Sequence, residues 1–342
     1  MGGYWVMANL ARNFFIGLSN NDFLNKSARK FGTRFGAERF VAGTVFDAIV
    51  PVIRELNQKQ ISCTMDHLGE FVTDRNEAVH AKEKIIAMLR QIKEEHLDCH
   101  ISIKLTQLGL DIEESFCIEN VEQILDVAHA CDIFVNIDME KYIHYEKTLE
   151  ILKSLRKSYT NVGTVIQTYL LDAEKDLSGL EDVRLRIVKG AYKEDSTVAY
   201  SSKEDIDKNF LMIAKKRLLG KAFTSIATHD HRIIQELKEF IEEHHISKDR
   251  FEFQMLYGFR VDMQHQLVKE GFRFCTYIPF GEDWFGYFMR RLAERPQNLN
   301  LLMKDVFYTE EDKLKKQPII IGTAALTLLL FLGRRRKKEQ NN

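Results

Sequence analysis

Two periodicities alternate along this chain. Short β-branched apolar runs predict strands at 61–67, 99–105, 133–138, 162–170, 185–189, 223–228, 251–256 and 272–278. Between them, apolar residues recur every three to four positions and predict helices at 77–95, 121–130, 145–158, 203–219, 231–244 and 261–271. The link from 170 to 184 is shorter and has no clear helical stripe. Residues 4–57 read as helical, with Phe35, Phe40, Val41, Val45 and Ile49 on one stripe and Gly32 and Gly36 as punctuation. Strands joined by helical crossovers form a parallel sheet, and eight of them close a (β/α)8, TIM-like barrel. A doubly wound sheet would want a Gly-rich first turn, and there is no GxGxxG.

The predicted strands end in polar or reactive side chains: Asp66-His67, Lys104, Asp138, Gln167-Thr168, Lys189, Thr228-His229, Gln254 and Tyr277. Polar residues commonly terminate strands, but barrel active sites are built at these carboxyl ends. If Leu185 and Ile187 face the outer helices, Arg186 and Val188 point into the barrel. A guanidinium there needs a partner, either an internal Asp or an electron-rich cofactor. His229-Asp-His231 has the form of a metal-binding HxH pair. A strand-end His followed by a helix-start residue fits one site group and one surface group better, so no metal is expected. A Schiff-base role for Lys104 or Lys189 is the weaker alternative to charge pairing.

Lys and Arg number 49 against 50 Asp and Glu, a balance that argues against nucleic-acid binding. The five cysteines (63, 99, 117, 131 and 275) are far apart without a CxxC pair and read as reduced thiols of a cytoplasmic protein. The start of the chain lacks the pattern of a secretory signal. Residues 318–332 form an uncharged apolar run followed by the basic cluster 334–338. About 20 apolar residues span a bilayer, so this run is short. Spanning from the cytoplasm would also place the basic cluster outside, against the positive-inside tendency. An anchor lying on the inner face of the cell membrane, with its basic end on anionic headgroups, avoids that conflict.

After the last strand, Tyr287, Arg290, Arg291 and Glu294 fall at i, i+3, i+4 and i+7 on one helix face. A paired-Arg fork suits a carboxylate, although spacing alone equally allows a solvated stripe neutralised by Glu294. Lys104, Asp138, Arg186-Ile-Val-Lys-Gly-Ala-Tyr192, Thr228-His229 and Tyr277-Ile-Pro-Phe-Gly…Tyr-Phe-Met-Arg-Arg291, in this order, resemble the proline dehydrogenase family over roughly residues 60–300. The short spacing from Tyr277 to Tyr287 is similar to that of its compact bacterial monofunctional members.

The resemblance implies an FAD-dependent enzyme that oxidises L-proline to Δ1-pyrroline-5-carboxylate and passes electrons to a membrane quinone. It implies that Lys104, Arg290 and Arg291 grip the substrate carboxylate, and that Leu256, Tyr277 and Tyr287 pack on its ring. Arg186 would lie by the flavin, with Asp138 orienting the cations or the substrate. Gln167, Val188, Lys189, Gly190, Ala191, Thr228, His229 and Gln254 would contact FAD. The implied organisation is an N-terminal helical segment (1–57), the barrel (58–305) with a C-terminal substrate-capping helix, and a membrane-associating tail (306–342). Within this reading a 4-hydroxyproline oxidase is the nearest rival; from another class, a membrane-tethered barrel could bind proline without turning it over.

Overall fold

The computed structural model describes residues 41–70 and 72–294, with side chains as far as 289. Its parallel strands close into a barrel in sequence order: β1 (Ile61–His67), β2 (Cys99–Ile103), β3 (Val135–Ile137), β4 (Val162–Gln167), β5 (Leu185–Val188), β6 (Thr224–Ala227), β7 (Phe251–Leu256) and β8 (Phe274–Phe280). Closure is made by β1 on β8, in register from Ile61↔Phe274 to His67↔Phe280. Parallel neighbours need a crossover that carries the chain back. These are supplied by α2 (Arg75–Glu94), α3 (Glu114–Cys131), α4 (Tyr145–Leu155), α5 (Lys203–Leu219), α6 (His231–Glu243) and α7 (Val261–Lys269). The weakly patterned link between β4 and β5 contains a single 3-10 turn, Lys175–Leu177. The sequence-predicted barrel and its strand order are therefore those observed.

Element ends match the predicted ones in some places and move in others. Asp74 accepts hydrogen bonds from Asn76 N (2.8 Å) and Glu77 N (3.1 Å), so α2 begins before the predicted residue 77. Ser202 accepts from Asp205 N (3.1 Å) and sets the start of α5 where the pattern predicted it. Helix α3 starts seven residues before the predicted 121. Its first turns carry no capping hydrogen bond from Glu113 and only a short apolar signal. At the beginning of the barrel unit, α1 (Phe46–Gln58) buries Ile49, Val50 and Ile53. The longer N-terminal stripe is corrected there: Val45 is extended and 56% exposed, preceding the helix rather than lying on it. Phe35 and Phe40 lie outside the described residues.

Alternation along the strands divides two environments. Outward residues such as Ile101, Val135, Ile187, Ile226 and Phe253 are fully or almost fully buried under Leu89, Ile124, Phe210 and Leu237 of the helices. Inward positions are polar: Thr64, Asp66, Ser102, Asn136, Arg186, Gln254 and Tyr277. At Gly163 an added Cβ would come 2.1 Å from the Arg184 carbonyl oxygen, so only glycine admits the approach between β4 and β5.

The chain divides into two compact units, 39–284 and a second formed by 1–38 with 285–342. The barrel belongs to the first. Of the second, the described part lies within α8 (Trp284–Glu294), an amphipathic helix on which Tyr287, Phe288 and Met289 are buried. Among the described residues no helix is long and apolar enough to cross a membrane. The apolar run 318–332 lies outside them.

Candidate active site

The inward guanidinium of Arg186 has its partner inside the barrel. Nη1 donates to Asp138 Oδ1 (2.7 Å), while Nη2 donates to Ser102 Oγ (2.9 Å) and Thr64 Oγ1 (3.3 Å). Arg186 is 4% exposed. Of the two partners the sequence left open, an internal Asp is the one found. Asp138 stands one residue beyond β3, and its backbone N–H continues the ladder by donating to Ile103 O (2.8 Å). Asn136 Nδ2 supports the same carboxylate oxygen from 3.0 Å.

Lys104, one residue beyond β2, lies 2.6 Å from Asp66 Oδ1 and 3.7 Å from Asp138 Oδ2. The Tyr277 hydroxyl lies 2.7 Å from Asp66 Oδ2 and 2.8 Å from Asp138 Oδ2. Its single proton serves two acceptors. Arg186 also stands over the Tyr277 ring, 5.1 Å from its centroid. Burial alone would drive the Lys104 ammonium toward neutrality. The carboxylates of Asp66, Asp138 and Glu70 outweigh it and hold the group charged, well above the ordinary lysine range. Burial first, then Asp138 and Asp66, raise the Tyr277 phenol well above its usual value, so it remains a donor. Two cations, two carboxylates and a neutral phenol thus converge from the ends of five strands at the carboxyl end of the barrel.

Other predicted residues group around this centre. His229 Nε2 accepts the Leu256 N–H (3.0 Å), and Thr228 N donates to Gln254 O (3.2 Å), which ties the ends of β6 and β7. His229 spends that nitrogen on the backbone and His231 is exposed, so the HxH pair does not converge. Lys189 turns its ammonium to Asp207 and lies 3.6 Å from Asp230. Burial opposes it, yet the Arg232 N–H, Lys189 and Lys203 hold the Asp230 carboxyl down at about 2. What the 189–191 turn leaves for a ligand is therefore backbone. Gly190 has φ +119°, and a Cβ there would meet the Tyr169 ring at 2.2 Å.

Several buried polar atoms here have no hydrogen-bond partner: Gln167 Oε1, Thr168 Oγ1, Arg186 Nε and Gln254 Oε1. Unsatisfied groups of this kind in a buried site call for a ligand that supplies the complement. Acceptor oxygens, a hydroxyl and a guanidinium N–H match the N–H and carbonyl edges of a flavin ring. The residues present therefore fit the flavin that the sequence resemblance implies.

Asp66, Thr64, Ser102 and Asn136 are the members that sequence reasoning passed over. Asp66 was visible as a strand-end residue, but its bridging of Lys104 and Tyr277 depends on the β1–β8 closure. Glu140, two residues after Asp138, was also missed. It is 1% exposed and accepts from Thr106 N at 3.0 Å and from the Thr106 hydroxyl. Tyr287 is described on α8, whereas the side chains of Arg290 and Arg291 lie outside the description.

A family model described as proline dehydrogenase matches residues 49–303. Proline dehydrogenase 2 of Bacillus subtilis is 46% identical over 297 residues, covering 86% of this chain and 98% of that one. The proline dehydrogenase of Deinococcus radiodurans is 38% identical over 269 residues, covering 77% and 87% of the two chains. Among solved structures, proline utilization A of Bdellovibrio bacteriovorus inactivated by N-propargylglycine superposes with a TM-score of 0.74 at 24% identity. That match spans 89% of this chain and 38% of the longer one, and it supports the fold.

Burial raises the Glu140 carboxyl from 4.5 to about 7, against the pull of the Thr106 hydrogen bonds. Its folded pKa is above the unfolded one, so its stabilising contribution is complete below pH 4.5 and is lost as pH rises through about 7. At about 1.4 kcal/mol per pH unit this amounts to at most about 3 kcal/mol. Glu140→Gln should flatten the fall in unfolding free energy between about pH 4.5 and 7 in denaturant titrations. An equal fall in the variant would show that another group causes it.

Proposed function

The chain belongs to the proline dehydrogenase family, of the bacterial monofunctional type, and on that footing we propose that it oxidises L-proline to Δ1-pyrroline-5-carboxylate with FAD as cofactor. The observation that carries this reading is the buried constellation of Lys104, Asp66, Asp138, Arg186 and Tyr277 at the carboxyl end of the barrel. Bound FAD would accept a hydride from the proline ring and return the electrons to a membrane quinone.

The chain's own residues supply position and field. Lys104, kept charged by its carboxylates, would meet one side of the substrate carboxylate, and the family resemblance assigns Arg290 and Arg291 to the same carboxylate, which a paired guanidinium fork suits. Fixing the carboxylate orients the reacting carbon, which is where most of the rate gain in such a step originates. Leu256, Tyr277 and Tyr287 pack on the ring and exclude water. Asp138 holds Arg186 and Tyr277 in place, and Arg186 presents its unpaired Nε to the cofactor. Gln167, Val188, the 189–191 backbone, Thr228, His229 and Gln254 complete the cofactor contacts. The Tyr277 hydroxyl is held by two carboxylates and would crowd a 4-hydroxyl, which favours proline over hydroxyproline.

The catalytic domain in this reading covers 58–305. The tail 306–342 would bring the enzyme from the cytoplasm to the inner face of the membrane, where the quinone resides.

Purified protein should be yellow and should bleach on anaerobic addition of proline. Protein that stays colourless after incubation with FAD would sink the oxidoreductase reading, and bleaching by hydroxyproline alone would transfer it to the rival substrate. Arg291→Met should raise the KM for proline on the order of 10- to 100-fold while flavin content is unchanged; an unaltered KM would refute the clamp. Truncation after Lys316 should leave dye-linked activity intact and move the protein from the membrane to the soluble fraction. A full-length chain that is soluble without detergent would rule out the anchor.

A further inference from the structure

A second polar cluster lies at the opposite end of the barrel. His100, Glu252 and Cys275 are each the second residue of their strands, β2, β7 and β8. One ligand atom from each lies within 4.8 Å of the others. The side chains are 9%, 2% and 0% exposed. None of them takes part in the constellation at the carboxyl end. We propose that His100, Glu252 and Cys275 form a binding site for a divalent transition-metal ion, with Zn2+ the ion that suits this donor set.

Three observations carry the assignment. Imidazole, carboxylate and thiolate together favour a borderline-soft ion over Mg2+ or Ca2+, which prefer oxygen. Glu252 is oriented as metal-ligating carboxylates commonly are. Ser225 Oγ (2.7 Å), Gln254 Nε2 (2.7 Å) and Arg184 Nη2 (3.2 Å) all donate to Oε1, so Oε2 accepts none of them. Finally, a cavity of about 480 Å3 opens beside His100, with Cys99 and Arg184 also in its wall, and gives an ion a way in.

The geometry requires little movement. Tetrahedral bonds of about 2.0–2.3 Å put neighbouring ligand atoms roughly 3.3–3.7 Å apart. Closing from 4.8 Å therefore takes about 0.6–0.9 Å of travel per ligand atom. Binding would release the Cys275 thiol proton to solvent. The resulting thiolate and the Glu252 carboxylate offset the ion's charge beside Arg184. Water would complete the fourth position.

The test uses the untagged full-length chain as purified, stripped with a chelator, incubated with Zn2+ and desalted. About one zinc per chain is expected. His100→Ala and Cys275→Ser should each weaken binding at least about tenfold, while Cys99→Ala, in the same cavity wall, retains it. Proline turnover should persist in all three, since none touches the carboxyl-end site. If Cys275→Ser fails to fold by circular dichroism, Cys275→Ala serves in its place. Substoichiometric zinc on the parent, zinc retained by both ligand variants, or loss in Cys99→Ala equal to theirs would overturn the proposal.

Discussion

The ion pair between Arg186 and Asp138 is the constraint on which the barrel interior depends. A guanidinium 4% exposed inside a closed sheet is tolerable only with a partner in place. Removing one member of such a pair typically costs about 3–5 kcal/mol, because the other charge is left buried and uncompensated. The pair therefore dictates what surrounds it. Asn136 must steady the same carboxylate oxygen, Ser102 and Thr64 must take the second guanidinium nitrogen, and Tyr277 must bridge from Asp138 to Asp66. Lys104 then finds Asp66 waiting at 2.6 Å. All of these contacts except the one from Asn136 to Asp138 cross from one strand to another, so the network also fixes barrel register.

The rest of the fold can be read as support for that network. Outward strand residues and inward helix residues pack into one continuous apolar shell. Such a shell is dense and barely compressible, so it holds the inward side chains in place. Barrel interiors are ordinarily filled with branched apolar side chains. Here polar layers occur at both ends: the carboxyl end carries the Lys104, Asp66, Asp138, Arg186 and Tyr277 group, and the amino end carries His100, Glu252 and Cys275. Between them Gln254, two residues along the same strand, donates to Glu252. The paired charges at the carboxyl end and the unpartnered atoms of Gln167, Thr168, Arg186 and Gln254 suit a site preorganised for ligands rather than one optimised for stability.

Local pattern was enough to determine the alternation of strands and helices, and hence the barrel class. Apolar period reports burial directly, and helix α5 coincides with its prediction because Ser202 caps it where the stripe begins. Arg186, Asp138, Lys104 and Tyr277 were legible as chemistry because charged or phenolic groups at strand ends have few structural reasons to be there. Boundaries were less legible: the helices at Tyr145 and Val261 begin as predicted without a side-chain cap, whereas α2, capped by Asp74, begins before the predicted residue 77. Val45 was misplaced because an apolar residue fits a helical stripe as well as it fits an extended lead-in.

Which of those groups meet was decided by tertiary structure alone. Asp66 and Tyr277 are 211 residues apart, and Arg186 and Thr64 are 122 apart. Their contacts exist only because β1 closes on β8 and the strands twist around a common axis. Packing of neighbouring elements committed Lys189 to Asp207 and Asp230 and turned His229 to the Leu256 amide, and the closure brought His100 of β2 to Glu252 and Cys275 of the paired strands β7 and β8. Sequence by itself determined which side chains face inward, because a strand's period is local. Register between strands is a property of the closed sheet, and that register chose their partners.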